Sequence, residues 1–291
     1  MSAKTLLSLS HAPDRHWVGD GFPVHGLFGY SGAEVAQRSP FLLLDYAPPY
    51  DFAPIEQGRR GVGAHPHRGF ETVTIVYSGE VEHRDSTGAG GVIGPGEVQW
   101  MTAGAGLLHE EFHTPAFSRR GGPFEVAQLW VNLPAADKMT PPRYQAIPRE
   151  RIPEVALPAG GGQVRVIAGQ FDGTRGPAST HTPMNVWDVR LAAGSSVDLA
   201  QPEGWNSLVV VLSGAVRLGG GEQVGAAQVA TLSAAGSRVP LHALTDTKLL
   251  LLAGEPIDEP VVGYGPFVMN TEQQIRQAML DFNAGRFGHM A

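Results

Sequence analysis

Eight of the eleven histidines lie before residue 114, and five of them, His65, His67, His83, His109 and His113, fall within one stretch of 49 positions. In an extended strand, residues i and i+2 project to the same side. His65 and His67 therefore converge on one face, and His109 and Glu111 converge on another strand. Two such pairs can form a cage of three imidazoles and one carboxylate, a donor set that suits Fe(II), Mn, Ni, Cu or Zn. An octahedral ion held by four protein atoms keeps two positions open, and open positions permit catalysis. Glu71 shares the parity of His67 and stands as a fourth or alternative ligand, or else as a carboxylate that orients an imidazole. His113 shares the parity of His109, but it sits beside Thr114-Pro115, where a strand would end, and so points to a rim position. His83, in Glu80-Val-Glu-His-Arg-Asp85, reads as a solvated strand end. The other six histidines, His11, His16, His25, His181, His242 and His289, have no partner at metal spacing.

Composition narrows the chemistry further. The 291-residue chain has no cysteine, which excludes disulfides, thiolate zinc sites, iron–sulfur clusters and a cysteine nucleophile. The 21 basic residues against 28 acidic ones give a formal charge of −7, and no window gathers more than two adjacent cations, the densest being Arg59-Arg60 and Arg119-Arg120. A phosphate backbone rewards clustered positive charge, so direct nucleic-acid binding is not expected. The segment MSAKTLLSLSHAPDRHW lacks a secretory apolar core, and no run approaches a membrane span; a soluble cytoplasmic protein is expected. Gly104-Ala-Gly106 is followed by no Lys-Ser/Thr and reads as a turn rather than a phosphate cradle.

The elements that must position the histidines are short β-rich runs, such as Thr72–Tyr77, Val126–Val131, Asn185–Leu191, Leu208–Leu212 and Lys248–Leu252, separated by turns rich in Gly and Pro. That pattern reads as an all-β chain of small barrels. If the parity of His65 and His67 carries past Gly69, then Val73, Ile75 and Tyr77 share the barrel interior with the histidines, while Thr72, Thr74 and Ser78 face out. The proline-dense stretch from Pro134 to about Gly162 marks a domain boundary, placed after residue 142. One helix is expected from Thr271 to about Ala284: Thr271 and Gln274 form a capping box, Ile275, Met279 and Phe282 line one face, and Gly285 suits the stop.

The chain also repeats itself. HPHRGFETVTIVYSGEV, from His65, aligns with the segment Ala200–Val216 through their Ser-Gly dipeptides, so that Gly69 meets Gly204 and Phe70 meets Trp205, whereas His65 and His67 fall on Ala200 and Pro202. IGPGEVQWMTAGAG, from Ile93, likewise resembles VGAAQVATLSAAGS, from Val224. Two matched segments indicate duplicated β units of which only the first carries the histidines.

HPHRGFETV, QWMTAGAGLLHEE and EPVVGYGPFVMNT together resemble the pirin family of the cupin superfamily, a likeness that extends over essentially the whole chain. The resemblance implies a bicupin: an N-terminal metal-binding cupin domain over 1–142, then a degenerate cupin domain over 143–291 ending in a short helix. It also implies one divalent metal, Fe(II) foremost, held by His65, His67, His109 and Glu111. The general cupin pattern would use Glu71 instead, whereas the pirin version places the carboxylate at Glu111. Three functional readings follow. The first is a dioxygenase of the quercetin 2,3-dioxygenase type, in which a flavonol-like substrate meets O2 and Glu111 accepts the 3-hydroxyl proton, with Phe70, Val73, Ile75, Tyr77 and Trp100 lining an apolar cavity. The second is a non-catalytic, redox-sensitive regulator that binds protein partners. In the third, the ion only stabilises the barrel.

Overall fold

Strands rich in β-branched and aromatic residues dominate the computed structural model of the chain, which describes residues 2–290. The strands form two compact units of one design, and both are barrels of the expected cupin type. In the first, a seven-stranded sheet runs in the order Arg143–Ile147, Val98–Thr102, Phe70–Ser78, Gly122–Asn132, Phe41–Phe52, Phe22–Phe28, His16–Val18. Its companion is a four-stranded sheet in the order Gly61–His67, Leu107–His113, Val81–Asp85, Gly90–Ile93. The second barrel has the same two sheets, seven strands from Leu6–His11 to Glu154–Ala156 and four from Ser196–Ala200 to Gln223–Gly225. Strands matched by the internal repeat occupy matching places: Ser196–Ala200 is an edge strand as Gly61–His67 is, and Asn206–Ser213 stands where Phe70–Ser78 stands.

The units do not follow a single cut after residue 142. The histidine-bearing barrel comprises Asp14–Ser31, Phe41–Arg149 and the segment from Asp258 onward; the second comprises the segment up to Pro13, Gly32–Pro40 and Glu150–Ile257. The cause is strand pairing. Arg143–Ile147 bonds to Val98–Thr102 and closes the edge of the first large sheet, whereas Leu6–His11 bonds to Gln228–Leu232 and closes the edge of the second. An unpaired edge would leave a row of backbone donors and acceptors open.

The C-terminal helix forms at Glu272–Asn283 with the expected capping box: Gln274 N donates to Thr271 Oγ1 at 3.2 Å, and Thr271 N donates to Gln274 Oε1 at 3.1 Å. It belongs to the first barrel, and its buried face differs from the expected one. Ile275, Ala278 and Asp281 are buried, while Met279 and Phe282 are each 38% exposed. The reason is Arg68, a buried cation whose Nη1 donates to Asp281 Oδ2 at 2.8 Å and thereby turns that side of the helix inward. Ile275 and Ala278 then pack with Phe267, Met269 and Phe287, against Leu108.

Side-chain facing also departs from the sequence expectation at Gly69. Its φ of +89° turns the chain between Gly61–His67, in the small sheet, and Phe70–Ser78, in the large one, and the alternation restarts there. A Cβ at this position would lie 2.0 Å from the Val268 carbonyl oxygen, so only glycine fits. Thr74, expected outside, faces the barrel interior, where its Oγ1 donates to Gln128 Oε1 at 2.6 Å. Thr72 has the same parity and is fully buried. Val73, Ile75 and Tyr77 consequently lie on the opposite face of that strand from Thr74 and Phe70, and Trp100 lies on the opposite face from Gln99.

Candidate metal centre

His65 and His67 end the edge strand Gly61–His67, and His109 lies beside them on Leu107–His113, in direct register with His65. Nitrogen atoms of these three side chains lie within 4.8 Å of one another, and so do ligand atoms of His83, His109 and Glu111. His109 is common to both groups. The ring centroids of His65, His67 and His109 are 4.3–4.8 Å apart, written pairwise as 4.8 Å for His65 and His67, 4.3 Å for His65 and His109, and 4.7 Å for His67 and His109.

Each imidazole keeps one nitrogen for the cluster. His65 Nδ1 lies 2.9 Å from the Gly63 carbonyl, which fixes a proton there and leaves Nε2 as the lone pair. His67 engages the Pro266 carbonyl, and its buried Nδ1 has no hydrogen-bond partner. His109 Nδ1 is 3.3 Å from His83 Nδ1, and His83 Nε2 is 3.4 Å from Asp85 Oδ2. A carboxylate can only accept, so His83 donates to Asp85 through Nε2, His109 donates to His83 through Nδ1, and the buried, unpartnered His109 Nε2 is left as an acceptor. Burial pushes the pKa of His67 well below 6.5, helped by His65 and His83; burial does the same for His109, helped by His67, His65 and His83. Two buried, neutral imidazoles with unpartnered nitrogens fit a cation: it supplies the partner those nitrogens lack.

Glu111 lies on the His109 side of the group. It is 6% exposed, and its Oε1 accepts from Gln99 Nε2 at 2.6 Å, with Thr74 Oγ1, whose proton goes to Gln128, 3.3 Å away; its Oε2 has Gln128 Nε2 at 3.5 Å. A β-bulge between His109 and Glu111 shifts their register against the histidine strand. Glu71 is buried too, but it lies across the strand from the interior, where its Oε1 accepts from Thr102 Oγ1 at 2.7 Å; it belongs to neither cluster.

Two histidines sit elsewhere than the sequence suggests. His83 is fully buried rather than solvated, stacked on Tyr144 with centroids 5.0 Å apart at 14°. His113 is likewise fully buried rather than at a rim: its Nε2 meets the Gly21 carbonyl at 3.0 Å, its ring packs on Phe52, Phe117 and Phe124, and burial pushes its pKa down to about 4. His113 is a core residue. The proline after Thr114 starts a short helix, Pro115–Arg120, capped by Thr114, so the strand ends without being exposed.

Gln99, Thr74, Gln128, Asp85 and Tyr144 surround the cluster and carry no spacing signal of their own; the alternation of Val98–Thr102 and Phe70–Ser78 would have found them only with the Gly69 turn known. Beside His67 stands an aromatic shelf. Trp130 lies 5.2 Å from the His67 ring and stacks on Phe70 at 4.2 Å and on Tyr30 at 6.0 Å. Of the five residues expected to line an apolar cavity, Phe70 is in ring contact with His67.

Comparison with known proteins bears on both barrels. The family model described as Pirin matches residues 21–131, and the one described as Pirin C-terminal cupin domain matches residues 186–288. A Pseudomonas aeruginosa protein named "Putative quercetin 2,3-dioxygenase PA2418" is 57% identical over 286 residues, covering 98% of each chain. The solved structure of quercetin 2,3-dioxygenase from Acinetobacter baumannii superposes with a TM-score of 0.96 at 54% identity, covering 99% of each chain. A bacterial pirin from Escherichia coli, solved in complex with nickel(II), shares the fold at 21% identity and a TM-score of 0.65, covering 86% of this chain and 99% of that one.

Proposed function

Since this chain belongs to the pirin family of two-cupin proteins, we propose that its histidine-bearing barrel is a metal-dependent dioxygenase site of the quercetin 2,3-dioxygenase type. One observation carries the reading: His67 and His109, buried and neutral, hold unpartnered nitrogens in one group with a nitrogen of His65, beside an anchored carboxylate. The named activity of the Acinetobacter relative supports it. His65, His67, His109 and Glu111 would hold one divalent ion, Fe(II) foremost, with Mn, Ni, Cu and Zn open to the same donors and nickel(II) seen in the E. coli pirin. Bound there, such an ion would supply Lewis-acid and redox chemistry.

The chain's own residues do the rest. Trp130, partly exposed beside His67, would give a flavonol ring its aromatic contact, with the fully buried Phe70 packed behind it. Gln99 holds Glu111 through Oε1. Oε2 is the freer oxygen, and it takes the proton of the substrate's 3-hydroxyl, a transfer of the kind that contributes about 10²–10⁴-fold to a rate. The Asp85–His83–His109 relay keeps the His109 proton on Nδ1, away from the cluster.

The test is anaerobic loading with Fe(II), then O2 uptake and CO release with quercetin. Turnover that falls at least a hundredfold in Glu111→Gln and His65→Ala is expected. Equal rates in those variants, or no turnover in the loaded protein, would remove the reading. No helix among the described residues is long and apolar enough to cross a membrane.

A further inference from the structure

One row of polar side chains crosses the large sheet of the histidine-bearing barrel. Residues directly opposite on neighbouring strands share a face. Here Gln99 stands opposite Thr74, Thr74 opposite Gln128, Gln128 opposite Asp45, and Asp45 opposite Gly26. Thr74 faces the interior, so the whole row does. Gln99 donates to Glu111, and Gln128 Nε2 lies 3.5 Å from Glu111 Oε2. Asp45 is the next position along, about one strand spacing, or 4.8 Å, beyond Gln128, and it lies outside both clusters of potential ligands.

The second barrel shows the same row without a centre. The internal repeat sets Ala230 against Gln99 and Val209 against Thr74. Strand pairing continues that row through Leu251, Trp187 and Val166, which stand where Gln128, Asp45 and Gly26 stand in the first barrel. All five are buried apolar residues of one core cluster. The fold therefore needs no polar atom in this row, and it fills the place of Asp45 with an indole.

Asp45 is kept although it destabilises the barrel. Its carboxyl is half-buried, and among the described residues no hydrogen bond or ion pair holds it. Burial raises its pKa to about 6, so above pH 7 it is mainly an ionised acceptor that lacks a donor. Its neighbours leave it open to solvent. Gly26, Gln128 and Trp130 all keep partial exposure, and a Cβ on Gly26 would meet only Asp45 Oδ1, at 3.4 Å, and His16 Cε1, at 3.7 Å. A reachable, unpaired acceptor on the inner wall, one position from the side chains that touch Glu111, calls for a hydroxyl donor on whatever Glu111 serves.

We propose that Asp45 is a specificity residue of this site, accepting a hydrogen bond from a phenolic hydroxyl on the substrate's ring system, remote from the 3-hydroxyl that Glu111 deprotonates. The inference rests on the dioxygenase reading for the flavonol class and adds a preference within it, for hydroxylated rings over bare ones.

Quercetin and 3-hydroxyflavone are the probes: both carry the 3-hydroxyl, and only quercetin carries further ring hydroxyls. Their dissociation constants are measured by absorption titration of the full-length protein loaded with Fe(II) under argon. The parent protein should bind quercetin at least about tenfold more tightly, as a hydrogen bond to a charged group allows. That ratio should fall below about threefold in Asp45→Ala, which removes the acceptor, and in Gly26→Val, which covers it. Circular dichroism checks that each variant is folded. Equal affinity for the two probes in the parent protein overturns the proposal and leaves the dioxygenase reading standing. So does a ratio that Asp45→Ala leaves unchanged or, should that variant fail to fold, one that Gly26→Val leaves unchanged. Selective binding of quercetin with no turnover in air removes the dioxygenase reading alone. If neither flavonol binds, both fall.

Discussion

At the scale of single residues, the centre depends on groups that touch no substrate. Gln99 is fully buried and gives Glu111 its shortest hydrogen bond, at 2.6 Å, while His83 fixes which nitrogen of His109 is free. Groups that orient a ligand in this way typically set metal affinity by about 10–100-fold. Gln99→Leu, and His83→Phe, which retains the stack on Tyr144, should each lower affinity by that factor, read by competition with a chromophoric chelator. A second expectation concerns Asp45, paired across the large sheet with Gln128 and Gly26. Burial raises its carboxyl pKa from 3.8 to about 6, and His16 pulls the other way. The folded chain therefore holds this proton more tightly than the unfolded one. Its contribution to stability is complete below about pH 4 and is lost as pH rises through 6, a swing of up to about 3 kcal/mol. Asp45→Asn should match the parent protein below pH 4 and exceed its stability by up to that amount at pH 7, as measured by urea unfolding across the range.

At the scale of elements, period-two reasoning succeeds within a strand and fails across a turn. His109 and Glu111 share a face as their spacing implies, and His65 and His67 end one strand together. The inference from His67 across Gly69 to Val73 and Glu71 is wrong because a left-handed residue lies between, and local sequence does not say how many positions the turn consumes. His83 and His113 are misread for another reason: charged or proline neighbours suggest exposure, whereas Tyr144 and a nest of phenylalanines from distant segments bury them. The same limit hides Arg68. It follows His67 directly, and its Nε donates to the Ala105 carbonyl at 2.7 Å, its Nη1 donates to Asp281 at 2.8 Å, and its guanidinium lies 4.6 Å over Phe287. These contacts tie the histidine strand to the C-terminal helix. Breaking a buried ion pair from one side typically costs about 3–5 kcal/mol. Arg68→Ala should destabilise the protein by roughly that much and weaken metal binding in step, seen as an earlier calorimetric transition.

At the scale of the whole molecule, chain order and barrel membership diverge. The duplication was legible because both repeats keep their Ser-Gly turns and strand spacing, and the structure gives them the same seven-plus-four arrangement. Periodicity could not show that the chain's ends trade barrels, since a strand carries no label of the sheet it will join. Leu6–His11 supplies the edge beside Gln228–Leu232 in the second barrel, and Glu272–Asn283 supplies Asp281 to Arg68 in the first. A fragment of residues 1–142 would keep the histidines and lose both Arg143–Ile147 and the helix; the complementary fragment would lose Leu6–His11. Each would expose a sheet edge that the intact chain covers. Neither fragment should give a dispersed amide NMR spectrum when expressed alone, and mixing the two should restore dispersion. A well-dispersed spectrum from 1–142 by itself would show that the exchanged segments are dispensable, and that the histidine cluster forms without Arg68 being held from the other end of the sequence.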